Sequence, residues 1–186
     1  MAATATIVEM TEVRTAHTAD LDAATLEAAR RLLEAVFEDD FAPDDWEHAL
    51  GGIHALVWED GELAGHGSVI QRRLLHGGRA LRAGYVEGVG VLARRRRRGH
   101  GAALMAALER VIRGAYDLGA LGSTDGGAAF YAARGWRPWQ GPTWAMTQDG
   151  LVRTEDEDGA IYVLEAGVRL DLSGALACDW RDGDVW

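Results

Sequence analysis

The chain has 186 residues, 48% of them hydrophobic, which suits a single α/β domain with a real core. Its 29 acidic against 19 basic side chains give a formal net charge of −10, which argues against general binding to DNA, RNA or anionic membranes and favours a cationic ligand. Its one cysteine, Cys178, excludes an internal disulfide framework and a Cys-cluster metal site.

Residues 1–10 read as a loose leader, and the first 20 residues lack the basic start and unbroken apolar core of a signal peptide. No stretch approaches the ~18 apolar residues that span a bilayer, so the expectation is a cytoplasmic protein. No repeat or low-complexity linker divides 1–186. Residues 12–18 suit a first strand. Leu26, Ala29, Leu33, Val36 and Phe37 recur near helical spacing across 21–38. Pro43 followed by Asp44-Asp45-Trp46-Glu47-His48 predicts a short helix with its acids near the positive end of the dipole. The period then changes. IHALVWED, an Asp60-Gly61 turn and ELAGHGSVIQRRLLH predict a hairpin, and Gly77-Gly78 turns the chain into RALRAGYVEGVGVL: three successive strands over about 53–92. Residues 99–116 form a helix with Leu104, Ala107, Leu108, Val111, Ile112 and Ala115 along one face. A strand at 118–123 follows, then a short helix in GGAAFYAARG ended by Gly135. Trp136–Trp139 begins another strand, and 160–165 and 168–172 read as two more. This order predicts an α/β (α+β) fold with a mixed sheet.

Five consecutive arginines, Arg94–Arg98, stand out against the acidic background. Since all 19 basic residues are Arg and the chain is rich in Ala and Gly, arginine abundance alone reads as coding bias. Position carries more. A strand ending at Val89-Gly90-Val91 meets a helix opening near Gly99, with Arg96-Arg97-Arg98-Gly99-His100-Gly101 between. Open N–H groups, the positive end of the helix and charge-assisted arginine bonds together make a pyrophosphate cradle. No Gly-Lys-Ser/Thr follows, so it is not a Walker loop, and the preceding meander is not the start of a dinucleotide fold. A solvated arginine cluster and a nucleic-acid patch are the alternatives.

A basic residue, two spacers, Gly, spacer, Gly after a β-meander resembles the acetyl-coenzyme A loop of the GCN5-related N-acetyltransferases (GNAT). FYAARGW at 130–136 resembles the second signature of that superfamily. The segments DDWEHALGGIHALVW, SVIQRRL, LRAGYVEGVGV, RGAYDLGALGS, FYAARGWRPWQGPT and CDWRDGDVW together resemble the aminoglycoside 2′-N-acetyltransferases, from about residue 13 to Trp186. The chain departs from that family in its five-arginine loop and in GSTDGG at 122–127.

The resemblance implies a GNAT fold, a mixed central sheet with a splayed strand pair flanked by helices. It implies direct transfer of acetyl from acetyl-CoA to a 2′-amino group of a cationic aminoglycoside, within a ternary complex. Val89, Gly90, Val91, Arg96, Arg97, Arg98, Gly99, His100, Gly101 and Ala102 are then expected against acetyl-CoA. Glu87 takes up the amine proton, directly or through water, and Tyr131 protonates the leaving thiolate. Asp40, Asp45, Glu87, Gly88, Gly122, Asp156, Glu157, Asp158, Asp184 and Trp186, with its α-carboxylate, are expected at the acceptor. A C-terminal extension is therefore expected to lower turnover without unfolding the protein. Cys178 falls outside the donor site, so no acetyl-cysteine is expected. His17, His48, His54, His66, His76 and His100 show no ligand spacing, and no metal is assigned. Pairing as a homodimer through the Trp-rich C-terminal third is a further expectation. The alternatives are a GNAT enzyme acting on a cell-wall precursor or polyamine, and a non-catalytic binder of acyl-CoA or aminoglycoside.

Overall fold

A computed structural model describes residues 11–124 and 126–186; the expected leader at 1–10 lies outside the described residues. Strand β1 (Thr11–His17) is followed by α1 (Ala23–Phe37), α2 (Pro43–His48) and the meander β2 (Ile53–Glu59), β3 (Glu62–His76) and β4 (Arg79–Val91). Then come α3 (His100–Ala115), β5 (Leu118–Gly122), α4 (Ala128–Ala132), β6 (Arg137–Pro138), β7 (Thr143–Thr147), β8 (Gly150–Arg153), β9 (Ile161–Glu165) and β10 (Leu176–Cys178). All ten strands join one mixed sheet, along the path β6-β9-β5-β4-β3-β10-β7-β8, with β2 and then β1 also attached at β3. The long β3 makes this branching possible. Its first half pairs β2 and its last three residues pair β10, while its other edge pairs β4.

Strand alternation distributes the core to two faces. Ala55 and Val57 pack with Leu104, Met105, Leu108 and Ile112 of α3. Leu56, between them in sequence, packs with Ala29, Leu32 and Leu33 of α1 and with Trp46 of α2. A third cluster, around Leu74, Tyr85, Trp139, Cys178 and Trp186, fills the end of the sheet built by β7 and β10. Helix α1 starts where Asp22 accepts the Thr25 N–H at 2.7 Å, a side-chain cap of the usual kind. Among the described residues no helix is long and apolar enough to cross a membrane.

One expected strand is not formed. Val168, Leu170 and Leu172 point toward the core, as their alternation implies, but the segment has no ladder partner. Its Leu172 carbonyl instead accepts from Gln140 and Gly141 N–H, and its Leu170 N–H donates to Glu165 Oε1. Unforeseen instead are the hairpin β7–β8 and the three-residue β10, which runs parallel to β7. The strand expected over Trp136–Trp139 shortens to Arg137–Pro138, with both tryptophans buried on either side.

The meander and β5 position the site. Strands β4 and β5 pair in parallel only from Ala83–Tyr85 against Leu118–Ala120, then diverge. β4 also bulges against β3. Ser68 faces Glu87 and His66 faces Gly90, so β4 carries one extra residue at Gly88-Val89. Gly88 stands at φ +55, a left-handed backbone that suits glycine.

Candidate active site

The divergence of β4 and β5 opens a cleft of about 1120 Å³. Its wall follows β4 from Tyr85 to Val91, continues through Arg95, Arg96 and Arg97, and reaches the first turn of α3 at Gly99, His100, Gly101 and Ala102. The far wall is formed by Gly122, Ser123, Thr124, Gly126, Gly127, Phe130 and Tyr131. From Val86 onward the β5-facing edge of β4 has no strand partner among the described residues.

The end at α3 is built to hold an anion. Gly99 caps the helix at φ +88, and Ala103 N–H is the first bonded back, to Gly99 O at 3.0 Å. The N–H groups of His100, Gly101 and Ala102 therefore stay open, beside a first turn with no acidic side chain. A Cβ at Gly101 would stand 3.6 Å from the Phe130 ring, so the glycine leaves the cleft wide there. The His100 imidazole itself turns inward, buried at 3.5 Å from Glu59. What it offers the cleft is its main chain.

The other end is acidic. Asp40, Asp45, Glu87, Glu157 and Asp184 line it, drawn from four segments of the chain. Glu87 is 15% exposed and ion-paired with Arg181. Burial pushes its carboxyl above the usual range, against the pull of Arg181 and Arg72, and Asp184 adds to the rise. Burial also raises Glu157, with Asp184 and Asp156 as like-charged neighbours. Asp45 gives one oxygen to Ala42 N–H at 2.8 Å.

The C-terminal segment is folded onto this end. Arg72 donates to the Val185 carbonyl at 2.7 Å and to Asp179, His48 Nε2 meets the Asp182 carbonyl at 2.8 Å, and Trp186 Nε1 donates to Thr154 Oγ1 at 2.9 Å. Arg181 knits the segment together, donating to the main-chain oxygens of Asp184 and Trp186 while its guanidinium lies over the Tyr85 ring. Tyr131 is fixed from elsewhere. Glu109, buried on α3, takes two bonds from Arg134 at 2.7 and 2.9 Å and one from Trp136 Nε1 at 3.1 Å, which ties the FYAARGW turn to the helix. The Tyr131 ring stands among Phe130, Trp136 and Tyr162, and burial pushes its phenol above the ordinary value.

Most of the positions singled out in the sequence thus line this one cleft: Asp40, Asp45, Glu87, Gly88, Val89, Gly90, Val91, Arg96, Arg97, Gly99, His100, Gly101, Ala102, Gly122, Tyr131, Glu157, Asp184 and Trp186. Three do not. Arg98 donates to Glu59 at 3.1 Å instead of lining the cleft. Asp158 is a structural acid: it pairs with Arg153 and accepts from Thr143 N–H and Oγ1, and these bonds hold its carboxyl well below the usual range. Asp156 lies outside the lining because the tight turn Glu155–Glu157 presents only Glu157 inward. Conversely, Tyr85, Arg95 and Arg181 line the cleft and were not foreseen. Tyr85 had a signal, since in GYVEGVGV it sits two residues before Glu87 and so on the same strand face. Its hydroxyl is buried with no hydrogen-bond partner among the described residues.

Residues 17–139 match the acetyltransferase (GNAT) domain family. An aminoglycoside 2′-N-acetyltransferase of Mycolicibacterium fortuitum is 50% identical over 177 residues, covering 93% of this chain and 91% of that one. Among solved structures, Escherichia coli ElaA superposes with a TM-score of 0.60 at 22% identity, covering 84% of this chain and all of its own. Eis1 of Mycobacterium abscessus gives 0.59 at 23% identity, and there this chain, 73% of it covered, spans 32% of a much longer protein. These two likenesses carry the fold, and the close relative carries the kinship. The splayed strand pair, the helix opening beside it and this match place the chain in the GNAT acetyltransferase family, among the relatives of the aminoglycoside 2′-N-acetyltransferases.

Proposed function

We propose that this enzyme transfers the acetyl group of acetyl-CoA to the 2′-amino group of an aminoglycoside, with both molecules bound at once. The observation that carries the reading is one continuous cleft with a basic end, where α3 opens, and an acidic end, with Glu87 and Tyr131 both on its wall. Such a cleft suits a polyanionic donor meeting a polycationic acceptor. The kinship with the M. fortuitum enzyme names the acceptor class. The cytoplasm, with its acetyl-CoA pool, is the natural compartment.

Acetyl-CoA supplies an activated acyl group as a thioester. The open N–H groups of α3, with Arg96 and Arg97, would hold its diphosphate. The free edge of β4 at Val89, Gly90 and Val91 would receive the pantetheine arm as an added strand and direct an N–H at the thioester carbonyl. Asp40, Asp45, Glu157 and Asp184 would hold ammonium groups, while Gly88, Gly122 and the main chain of Trp186 shape the acceptor wall. Glu87 takes the proton of the attacking amine, directly or through water. An unperturbed carboxylate near pKa 4.3 is a poor base for an ammonium, and burial brings Glu87 closer to the range required. Tyr131 stays protonated at neutral pH, because burial disfavours the phenolate, and so can donate to the departing sulfur. Fixing both partners in line is worth up to ~7–11 kcal/mol of barrier in the best cases.

Mass spectrometry of the products tests this directly. A 2′-amino aminoglycoside is expected to gain one acetyl group, and its 2′-hydroxy analogue none. Equal acetylation of both, or of neither, would overturn the proposed position of transfer.

A further inference from the structure

The five arginines do not act alike. Arg94 is paired with Glu62, outside the cleft. Arg95 and Arg98 both turn to one carboxylate, that of Glu59, the last residue of β2. Arg95 Nη1 lies 2.6 Å from Glu59 Oε2, and Arg98 Nη1 donates to Glu59 Oε1 at 3.1 Å. His100 Nε2 approaches Glu59 Oε2 at 3.5 Å. Arg95 is further held by Glu62 at 3.3 Å. Glu59 is only 2% exposed. Burial alone would push its carboxyl up, but the bond from Arg98 and the charges of Arg95 and Arg98 carry it down instead.

These charged contacts clamp a short piece of chain at both ends. Arg95 closes the turn Ala93–Arg95, and Arg98 immediately precedes the Gly99 cap of α3. Between them lie Arg96 and Arg97, the two that line the cleft together with Arg95. Arg97 stands at φ +65, a left-handed backbone unfavourable to a non-glycine residue. A strained residue persists only where its surroundings over-determine it. Without an acid among them, adjacent guanidinium groups repel and spread. We propose that Glu59 is a positioning residue for the coenzyme: by gathering Arg95, Arg98 and His100 it preforms the loop and the opening turn of α3 around a diphosphate. This rests on the reading of that turn as the diphosphate site.

A competing expectation has the opposite sign. A carboxylate near a diphosphate repels it, so removing one would strengthen binding. Here both carboxylate oxygens of Glu59 face cations, which cancels much of its outward field, so the loss of a preformed loop dominates.

The test compares two ligands of the donor site. Coenzyme A carries the nucleotide and diphosphate, whereas acetyl-pantetheine carries the thioester arm alone. In Glu59→Gln, titration calorimetry is expected to show coenzyme A bound roughly 10-fold more weakly, with turnover of acetyl-pantetheine within about twofold of the parent. Glu59→Asp keeps the charge on a side chain one methylene shorter. It is expected to show the same selective loss in smaller degree, which keeps the test open if the Gln variant does not fold. Unchanged or tighter coenzyme A binding in the variants overturns the proposal, and so does an equal loss of coenzyme A binding and acetyl-pantetheine turnover, which marks general damage. A parent enzyme that binds coenzyme A no better than pantetheine would instead remove the diphosphate site itself.

Discussion

Glu87 and Arg181 are 94 residues apart in sequence and meet as a largely buried ion pair at the acidic end of the cleft. The pair explains how a buried carboxylate stays available to accept a proton: burial favours its neutral form, and the guanidinium opposes that. Arg181→Met should therefore raise the Glu87 pKa further. A base must be deprotonated to work, so the acid limb of the kcat/KM profile is expected to move up by roughly 1–3 pH units. An unmoved limb would mean that Glu87 is not the group whose titration limits the reaction. Of this pair only Glu87 could be read from sequence, as a lone acid beside glycines on a central strand. Arg181 sits in a terminal segment rich in acids, where nothing local says which partner it takes. The same gap concealed Arg95 and misassigned Asp158, whose partners Arg153 and Thr143 lie across a hairpin.

Strand β4 carries most of the site because it is bulged and because β5 leaves it. Both properties converge on Gly88. Its φ of +55 is left-handed, and a Cβ there would stand 3.0 Å from Leu33 Cδ1 of α1. Gly88→Ala is expected to cost ~1–2 kcal/mol in backbone strain, lowering Tm by roughly 2–8 °C in a chain of this size. It should also displace Glu87 and lower turnover. Thermal melts of the variant check the first effect, and an unchanged Tm would contradict the left-handed geometry. At this scale the sequence was most informative where period and punctuation agree. The Asp60-Gly61 and Gly77-Gly78 turns separate the three strands of the meander, and the apolar stripe of α3 runs through Leu104, Leu108 and Ile112. It was least informative where pairing decides. Residues 168–172 alternate like a strand yet lack a neighbour, whereas the short β10 finds one on each side.

Across the whole molecule, a hydrogen-bonded file connects the first strand's end to the bulge. Thr18 Oγ1 meets His54 Nε2 at 2.8 Å, His54 Nδ1 meets His66 Nε2 at 2.9 Å, and His66 Nδ1 meets the Gly88 carbonyl at 2.9 Å. A carbonyl only accepts, so His66 donates to Gly88, His54 donates to His66, and Thr18 donates to His54. Both imidazoles are then neutral, and desolvation lowers each to about 4 from the ordinary 6.5 of histidine. Between those values the unfolded chain binds protons that the fold excludes. The contribution of the pair is thus complete above pH 6.5 and is lost as pH falls toward 4, at up to ~1.4 kcal/mol per pH unit for each ring. Glu87, with its raised pKa, works in the opposite sense. Urea denaturation from pH 7.5 down to 4.5 is expected to show the decline. His66→Gln, which can donate to Gly88 and accept from His54, is expected to flatten it; an equally steep decline in that variant would exclude the pair as its source. The sequence by itself determined the order of helices and strands as far as α4, the glycine-opened helix with its arginines, and an acidic chain suited to a cationic partner. These follow from periodicity, turn chemistry and net charge, all carried by neighbours along the chain. Only the tertiary structure decided which arginines face the cleft and which are neutralised by Glu59 and Glu62, which of the three acids at 156–158 looks inward, and that Arg181 answers Glu87. A charge at close range pairs with whatever the fold brings to it, and sequence separation does not record that distance.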